Sequence, residues 1–359
     1  MKDAKETKGV KEKIYGNAVI KRLPQSEIEI TADMPATVFD VYRQAALKNI
    51  NESITIDGFR KGNVPEKVLL AKVGEKTVLE EMAELALSDA YPAIVIDHTL
   101  DPVGRPEISI TKMAVGNPLE FKIRTAIMPE VKLGDYKKIA KEAFALKSET
   151  NKKDGTDEKS AVSEKEIDEA LAHFKKSHEE REHGKDGQTH VEHDHEHNHA
   201  DFETPEFRQK IKEALIENKR MDAIEKRRIA MADKIVEIAT IDLPRILIES
   251  ETNRIESQFK EDISRMGVNI DDYLKSAKKT LDDLRKEWAP HGEKKAKLQL
   301  ALNKIAEIEK IKVEEKEISA EVAHILEHYK DADRSRAHAY AAGVLTNEKV
   351  FQFLEKLTA

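Results

Sequence analysis

The stretch Gly58-Phe59-Arg60-Lys61-Gly62-Asn63-Val64-Pro65 sets an aromatic ring and two cations between two glycines. Glycine admits backbone conformations closed to other residues, so the side chains between Gly58 and Gly62 can project from a loop with no regular element to shield them. Arg60 brings a planar five-donor fork suited to carboxylate or phosphate, Lys61 a mobile point charge, and Phe59 an apolar anchor. That chemistry is recognition, not bond making. Loop composition alone favours a ring folded back onto its flanking helices with both cations solvated; a docking tip needs support from the surrounding domain.

A second concentration of chemistry is histidine. His183, His190, His193, His195, His197 and His199 crowd one segment, the last four at alternate positions. Neutral imidazole is the commonest protein ligand for zinc, nickel and copper. A fixed site also needs a scaffold and outer partners, and this segment has no hydrophobic period to build them. A solvated spacer is the expectation. No specific metal site is expected, with His190, His193, His195, His197 and His199 as the candidates if one exists, and no cofactor is expected.

Other catalytic patterns are missing from the sequence. There is no cysteine, which excludes disulfides, thiol catalysis and cysteine-ligated metals. No phosphate-binding glycine loop, nucleophile elbow or His-Glu-x-x-His pattern occurs, so ATP dependence is not indicated. Charged residues make up 36% of the 359-residue chain and aromatics 5%, which suits long solvated helices with thin apolar seams. A net charge of −8 argues against a general nucleic-acid coat while leaving room for a local basic spot. The polar N-terminus lacks a signal core, and no run has the length of a membrane span. A soluble, cytoplasmic protein without membrane partners is expected.

The elements that position the loop follow from periodicity. NAVIKRL and EIEITAD read as strands joined at Pro24-Gln25-Ser26. Val38, Val41, Tyr42 and Ala45 then share a helical face. Pro65 fits the first turn of the next helix, and a further helix from about Glu75 turns Val78, Leu79, Met82, Leu85 and Ala86 inward, with a bend expected at Tyr91-Pro92. EISITK and LEFKIRTAIM return to strand, with Leu119, Phe121, Ile123 and Ile127 on one face. Residues 13–133 therefore read as an α+β sheet domain with an inserted helix–loop–helix.

Past a polar linker at 147–161, Ser163 with Glu166 forms a capping-box pattern ahead of Ile167, Leu171 and Phe174. Thr204-Pro205-Glu206 starts a long charged helix, and Leu243-Pro244 another that Gly267 ends. A third is expected from Asn269 to Trp288, broken by Pro290-His291-Gly292. Later helices carry Leu298, Leu302, Ile305 and Ile308, then Ile318, Val322 and Ile325. A short last helix is expected from a cap at Thr346-Asn347-Glu348. Phe207, Phe259, Tyr273, Trp288, Phe351 and Phe353 are read one by one as helix–helix core.

Together, GFRKGNVP, VLEEMAELALSDAYPAIV, DPVGRPEISI and PLEFKIRTAIMPEVKLGDYK resemble the N-terminal domain of trigger factor, the bacterial chaperone of the ribosomal exit tunnel, from about Tyr15 to Lys137. Its Gly-Phe-Arg-x-Gly-x-x-Pro loop is present as Gly58, Phe59, Arg60, Gly62 and Pro65. The resemblance implies that this loop docks on the large ribosomal subunit, with Phe59, Arg60 and Lys61 as the contacts to a tunnel-side protein and adjacent rRNA. Asp57 stands where that family often has Pro, and Asn63 where it often has Lys; both make the tip less positive. IDLPRILIESETNRIESQF and the helical text from about Asp201 to Leu357 resemble the family's chaperone domain, a cradle that implies unfolded nascent chains as clients.

The FK506-binding-type prolyl isomerase that usually lies between these parts has no counterpart here. Residues 163–204 hold one helix and the histidine segment, and a hydrophilic spacer cannot form the shaped apolar pocket isomerisation needs. The expected organisation is a lead-in at 1–12, a ribosome-binding domain at 13–137, a linker with one short helix at 138–203, and an all-α chaperone domain at 204–359. The expected function is an ATP-independent, non-enzymatic chaperone, monomeric or weakly dimeric, docked at the exit tunnel. A ribosome-free holdase or assembly chaperone is the alternative, and a metal-buffering protein a further one.

Overall fold

The computed structural model describes residues 13–145, 162–183 and 204–357. Strands β1 (Ala18–Leu23) and β2 (Glu27–Met34) form a hairpin whose central turn residues, Gln25 and Ser26, both have positive φ. That is the backbone of a type I′ turn, whose twist matches the flanking strands. Helix α1 (Ala36–Phe39), one 3₁₀ turn at Asp40–Tyr42 and α2 (Arg43–Ser53) lead to the glycine loop. Then come α3 (Glu66–Asp97), β3 (Pro102–Lys112) and β4 (Leu119–Ile127). The sheet is antiparallel in the order β1-β2-β4-β3, with Ile123 opposite Ile30 on one side and Ile108 on the other. The helix–loop–helix enters between β2 and β3, as the α+β reading expects. Ile28, Ile30, Phe121 and Ile123 bury one sheet face together with Val78, Met82, Ala86 and Ile94.

Two local expectations change here. Val41 is exposed, and the buried positions are Phe39, Ala46 and Ile50. The 3₁₀ turn advances each residue by a third of a turn, so the apolar face shifts phase across it. Helical geometry continues through Pro92, and the break in α3 falls at Gly74 instead (φ 82°, ψ 155°), just before the predicted start at Glu75.

After β5 (Val131–Lys132) the described chain is almost wholly helical: α4 (Tyr136–Ala145), α5 (Glu164–His183) and α6 (Pro205–Ile238), then the short β6 (Thr240–Ile241). Next are α7 (Arg245–Arg265), α8 (Ile270–Ala277), α9 (Leu281–Ile308), α10 (Glu315–His328) and α11 (Arg334–Lys356). The span 138–203 thus carries most of α4 as well as the 20-residue α5. Local start signals hold. The Glu166 carboxylate accepts from the Ser163 N–H at 2.8 Å, and the Ser163 hydroxyl accepts from the Glu166 N–H at 3.3 Å. Thr204 accepts from the Phe207 N–H at 3.3 Å ahead of Pro205.

Three helix boundaries differ from the sequence reading. The helix opened by Asn269 stops at Ala277, where Lys278 takes a left-handed cap (φ 53°), and a new helix starts on a Thr280–Asp283 capping pair. Pro290-His291-Gly292 does not break α9. Gly292 is there for closeness: a Cβ on it would lie 2.8 Å from the Thr252 hydroxyl and 3.2 Å from the Ile248 carbonyl on α7. Thr346-Asn347-Glu348 lies inside α11, whose cap is Asp333, accepting from the Arg336 N–H. Thr346 instead returns its hydroxyl to the Ala342 carbonyl at 2.7 Å, and Asn347 bonds Gln299.

Contacts divide the chain into two compact units: the described residues of Met1–Val131 with Ile241–Lys297, and those of Lys132–Thr240 with Leu298–Ala359. In the first, the hairpin turn receives the later segment, since Ser26 donates from its N–H to the Asp242 carboxylate at 3.0 Å and from its hydroxyl to the Asp242 carbonyl at 2.7 Å. Phe259 packs against both Tyr273 and Trp288 in the same unit. In the second, Met231, Ile235, Ala301, Leu302, Ile305, Val350 and Leu354 form the main core, with Phe351 and Phe353 at its edge. A smaller core of Ile318, Val322, Ala337 and Ala341 joins α10 to α11. Phe207, Phe259, Tyr273, Trp288, Phe351 and Phe353 are each half-buried, so they edge the helix packing and none is fully enclosed. Ile308, by contrast, is exposed at the end of α9.

Candidate functional site

The glycine loop folds as two successive tight turns. The Phe59 N–H donates to the Ile56 carbonyl at 3.1 Å, and the Asn63 N–H to the Arg60 carbonyl at 3.0 Å. Gly58 and Gly62 occupy the third position of their turns, each with φ +85°, as type II geometry requires. A Cβ at either would force the strained left-handed region. Phe59, Arg60 and Lys61 lie between the two pivots. All three are exposed, Phe59 by 39%, and neither cation's side chain has a partner among the described residues. Pro65 occupies the N-cap of α3, one residue ahead of the helix, and its carbonyl takes the Val68 and Leu69 N–H groups.

What fixes the turns to the domain is a residue that the motif does not contain. Asn51, near the end of α2, accepts from the Val64 N–H at 3.1 Å and donates to the Val64 carbonyl at 2.9 Å. Its own carbonyl receives the Gly62 N–H at 3.0 Å. Val64 is buried beside Ile50 and Leu69, so the loop's return strand is anchored apolarly as well. Below it, α2 and the 3₁₀ turn ahead of it are tied to α3 by Arg43 to Glu75, by Tyr42 to Asp89 at 3.0 Å, and by Asn49 to Glu81 at 2.9 Å. The Arg43 guanidinium holds the Glu75 carboxyl below its usual range, and burial with the Asp89 contact pushes the Tyr42 hydroxyl up to about 12. The tip therefore sits on a cross-braced stem. An asparagine inside a helix is a weak helix former with competing side-chain hydrogen bonds, a signal that Asn49 in the same helix shares and that therefore does not single out Asn51.

Asp57 is the second residue of the first turn, where proline would preset φ, and its N–H has no acceptor among the described residues. Asp57→Pro should therefore stabilise the turn by about 0.4–1 kcal/mol. Amide exchange at Phe59 should slow by about two- to fivefold, a readout that Asp57→Ala, which removes the charge without fixing φ, leaves unchanged.

Apolar surface is open elsewhere. On α6 Met221 and Ile229 are exposed, as are Tyr340 and Val344 on α11, both in the second unit. In the first, a groove of about 480 Å³ runs between α3 and the edge strand β3, floored by Leu87, Tyr91, Ile108 and Ile110 and rimmed by Glu80 and Glu84. The histidine candidates His190, His193, His195, His197 and His199 lie outside the described residues, as does the side chain of His183. No described group of three or more His, Asp or Glu could hold a metal, and no described helix is long and apolar enough to cross a membrane.

Two family models match the chain: "Bacterial trigger factor protein (TF)" over residues 17–174, and "Bacterial trigger factor protein (TF) C-terminus" over 205–353. The chain belongs to the trigger factor family. The Trigger factor of Halalkalibacterium halodurans is 24% identical, with 86% of this chain and 89% of the relative covered. That of Moorella thermoacetica is 23% identical over 91% of each, and that of Geobacillus kaustophilus 25% identical over 86% and 90%. The alignments run over 388 to 404 positions, more than the 359 residues of this chain, so these trigger factors hold residues without a counterpart here. A solved structure described as "Promiscuous Substrate Recognition in Folding and Assembly Activities of the Trigger Factor Chaperone" aligns with TM-score 0.53 at 15% identity, covering 96% of this chain and all of that one. It shares the fold. Membership of the trigger factor family gives the chain a chaperone role.

Proposed function

We propose that this chain is a cytoplasmic, ATP-independent chaperone that docks at the exit tunnel of the large ribosomal subunit through Gly58–Pro65 and shields nascent chains on its exposed apolar side chains. One observation carries the docking half: Phe59, Arg60 and Lys61 stand exposed on a braced loop, and neither cation has a side-chain partner among the described residues. An apolar ring beside two free donors fits a protein surface flanked by phosphate. Scattered exposed apolar side chains, such as Met221 and Ile229 on α6 and Tyr340 and Val344 on α11, suit weak and reversible holding better than one deep pocket does. The groove along β3 adds a client surface in the first unit.

Co-sedimentation with ribosomes tests it. Phe59→Ala/Arg60→Ala/Lys61→Ala should lose about tenfold or more in ribosome affinity, since an aromatic and an arginine at a contact centre each carry about 1 kcal/mol or more. Suppression of client aggregation in solution should stay intact. Equal pelleting of wild type and variant would reject the tip and leave the ribosome-free holdase, the reading that follows if Asp57 and Asn63 weaken docking enough. Isomerase activity is not part of this function. A protease-coupled assay of a proline-limited refolding step should show no acceleration by the chain.

A further inference from the structure

Near the end of α10, His324 and His328 stand four residues apart on one helical face. Both are exposed, their ring centroids are 4.8 Å apart at 73°, and neither ring hydrogen-bonds any described residue. With a metal–nitrogen bond of about 2.1 Å, a metal lies roughly 3.2 Å from the centroid of each imidazole it binds, so paired ligands have centroids roughly 4.5 Å apart at a right angle and roughly 5.2 Å at the tetrahedral angle. The observed spacing falls between those limits. The position at the C-terminal end of a helix adds the negative end of the backbone dipole, which favours a cation.

We propose that His324 and His328 form a bidentate site for an imidazole-preferring divalent cation of the zinc, nickel and copper class. No third described His, Asp or Glu joins them, so water fills the remaining positions and exchange is fast. The ion staples the last turn of α10, in the helix pair that holds the smallest core of the second unit. The site is separate from the histidine segment before α6, and it binds whether or not that segment does.

Diethyl pyrocarbonate modification of the full chain, resolved peptide by peptide, tests this, because ligated imidazole resists acylation. Zinc is added in excess over all 13 histidines, so that the histidine segment cannot deplete it. His324 and His328 should both react about tenfold more slowly with zinc, as expected for two-point ligation. The exposed single residues His98 and His291 should keep their rates. In His324→Gln, an exposed and conservative change, His328 should return to its zinc-free rate. Unchanged rates in wild type, equal slowing at His98, or protection of His328 that persists in His324→Gln would each overturn the site.

Discussion

Asn51→Ala should cost ribosome binding as much as stripping the tip, although every tip side chain stays in place. The mutation leaves the N–H and carbonyl of Val64, a residue only 5% exposed, without the partners now at 3.1 and 2.9 Å. A buried backbone group left unsatisfied costs about 1–3 kcal/mol. Water can enter as the return strand lifts, so the loss is roughly 2–3 kcal/mol, borne by the loop and not by the sheet. If docking requires the ordered tip, affinity falls roughly 30- to 150-fold. Asn51→Asp keeps the acceptor for the Val64 N–H but sets a carboxylate against the carbonyl, and should fall between wild type and alanine. Co-sedimentation titrated with ribosomes measures both, with circular dichroism confirming the fold. Wild-type pelleting by Asn51→Ala would mean that the glycine turns, the Gly62 bond to the Asn51 backbone and the buried Val64 side chain hold the tip without the amide.

The contrast between Asn51 and Phe59 shows which parts of the site a sequence reveals. Gly58, Gly62 and Pro65 announce a loop because their backbone preferences are intrinsic. Asn51 acts across 13 residues, and nothing in spacing distinguishes it from a solvated helical amide. Helix boundaries divide the same way. Ser163-Glu166 and Thr204-Pro205 are local devices and stand where expected, whereas Pro290-Gly292 looked like a local breaker and proved to be a contact. Only the position of Thr252 and Ile248 on α7 explains that glycine. The strands were legible from alternation, yet the joining of Ile241–Lys297 to the first unit includes Ser26 bound to Asp242, 216 residues apart, and Ile246 set against Gly104. The 3₁₀ turn at Asp40–Tyr42 is a similar case, since periodicity assumes one pitch and Val41 lies where the pitch changes.

Arg228→Ala is the substitution expected to weaken the second unit most. The guanidinium donates twice to Glu348, at 2.7 and 3.0 Å, and from Nε to Glu355 at 2.7 Å, and it lies 5.6 Å from the Phe351 ring centre. It thus pins α6 to α11 at the edge of the Met231–Val350 core. Removing it takes both guanidinium bonds from Glu348 and the Nε bond from Glu355. Breaking such a pair costs about 3–5 kcal/mol when fully buried. Glu348 keeps 42% of its side chain exposed, so solvent screening reduces the loss to roughly 2 kcal/mol. With a urea dependence of about 1–3 kcal/mol per molar, the unfolding midpoint should drop by roughly 1 M. The Arg228 bonds hold the Glu348 carboxyl below its ordinary range. Its contribution is therefore complete above the unfolded value of about 4.3 and is lost as pH falls through the lowered folded value. The gap between wild type and Arg228→Ala should close in acid and be full at neutrality. Replacing all three partners, as Arg228→Met/Glu348→Leu/Glu355→Leu, should recover most of the loss, because the guanidinium and the carboxylates it holds then leave together. A triple variant as weak as the single one would show that the geometry of the fork, and not the uncompensated charge, holds α6 on α11.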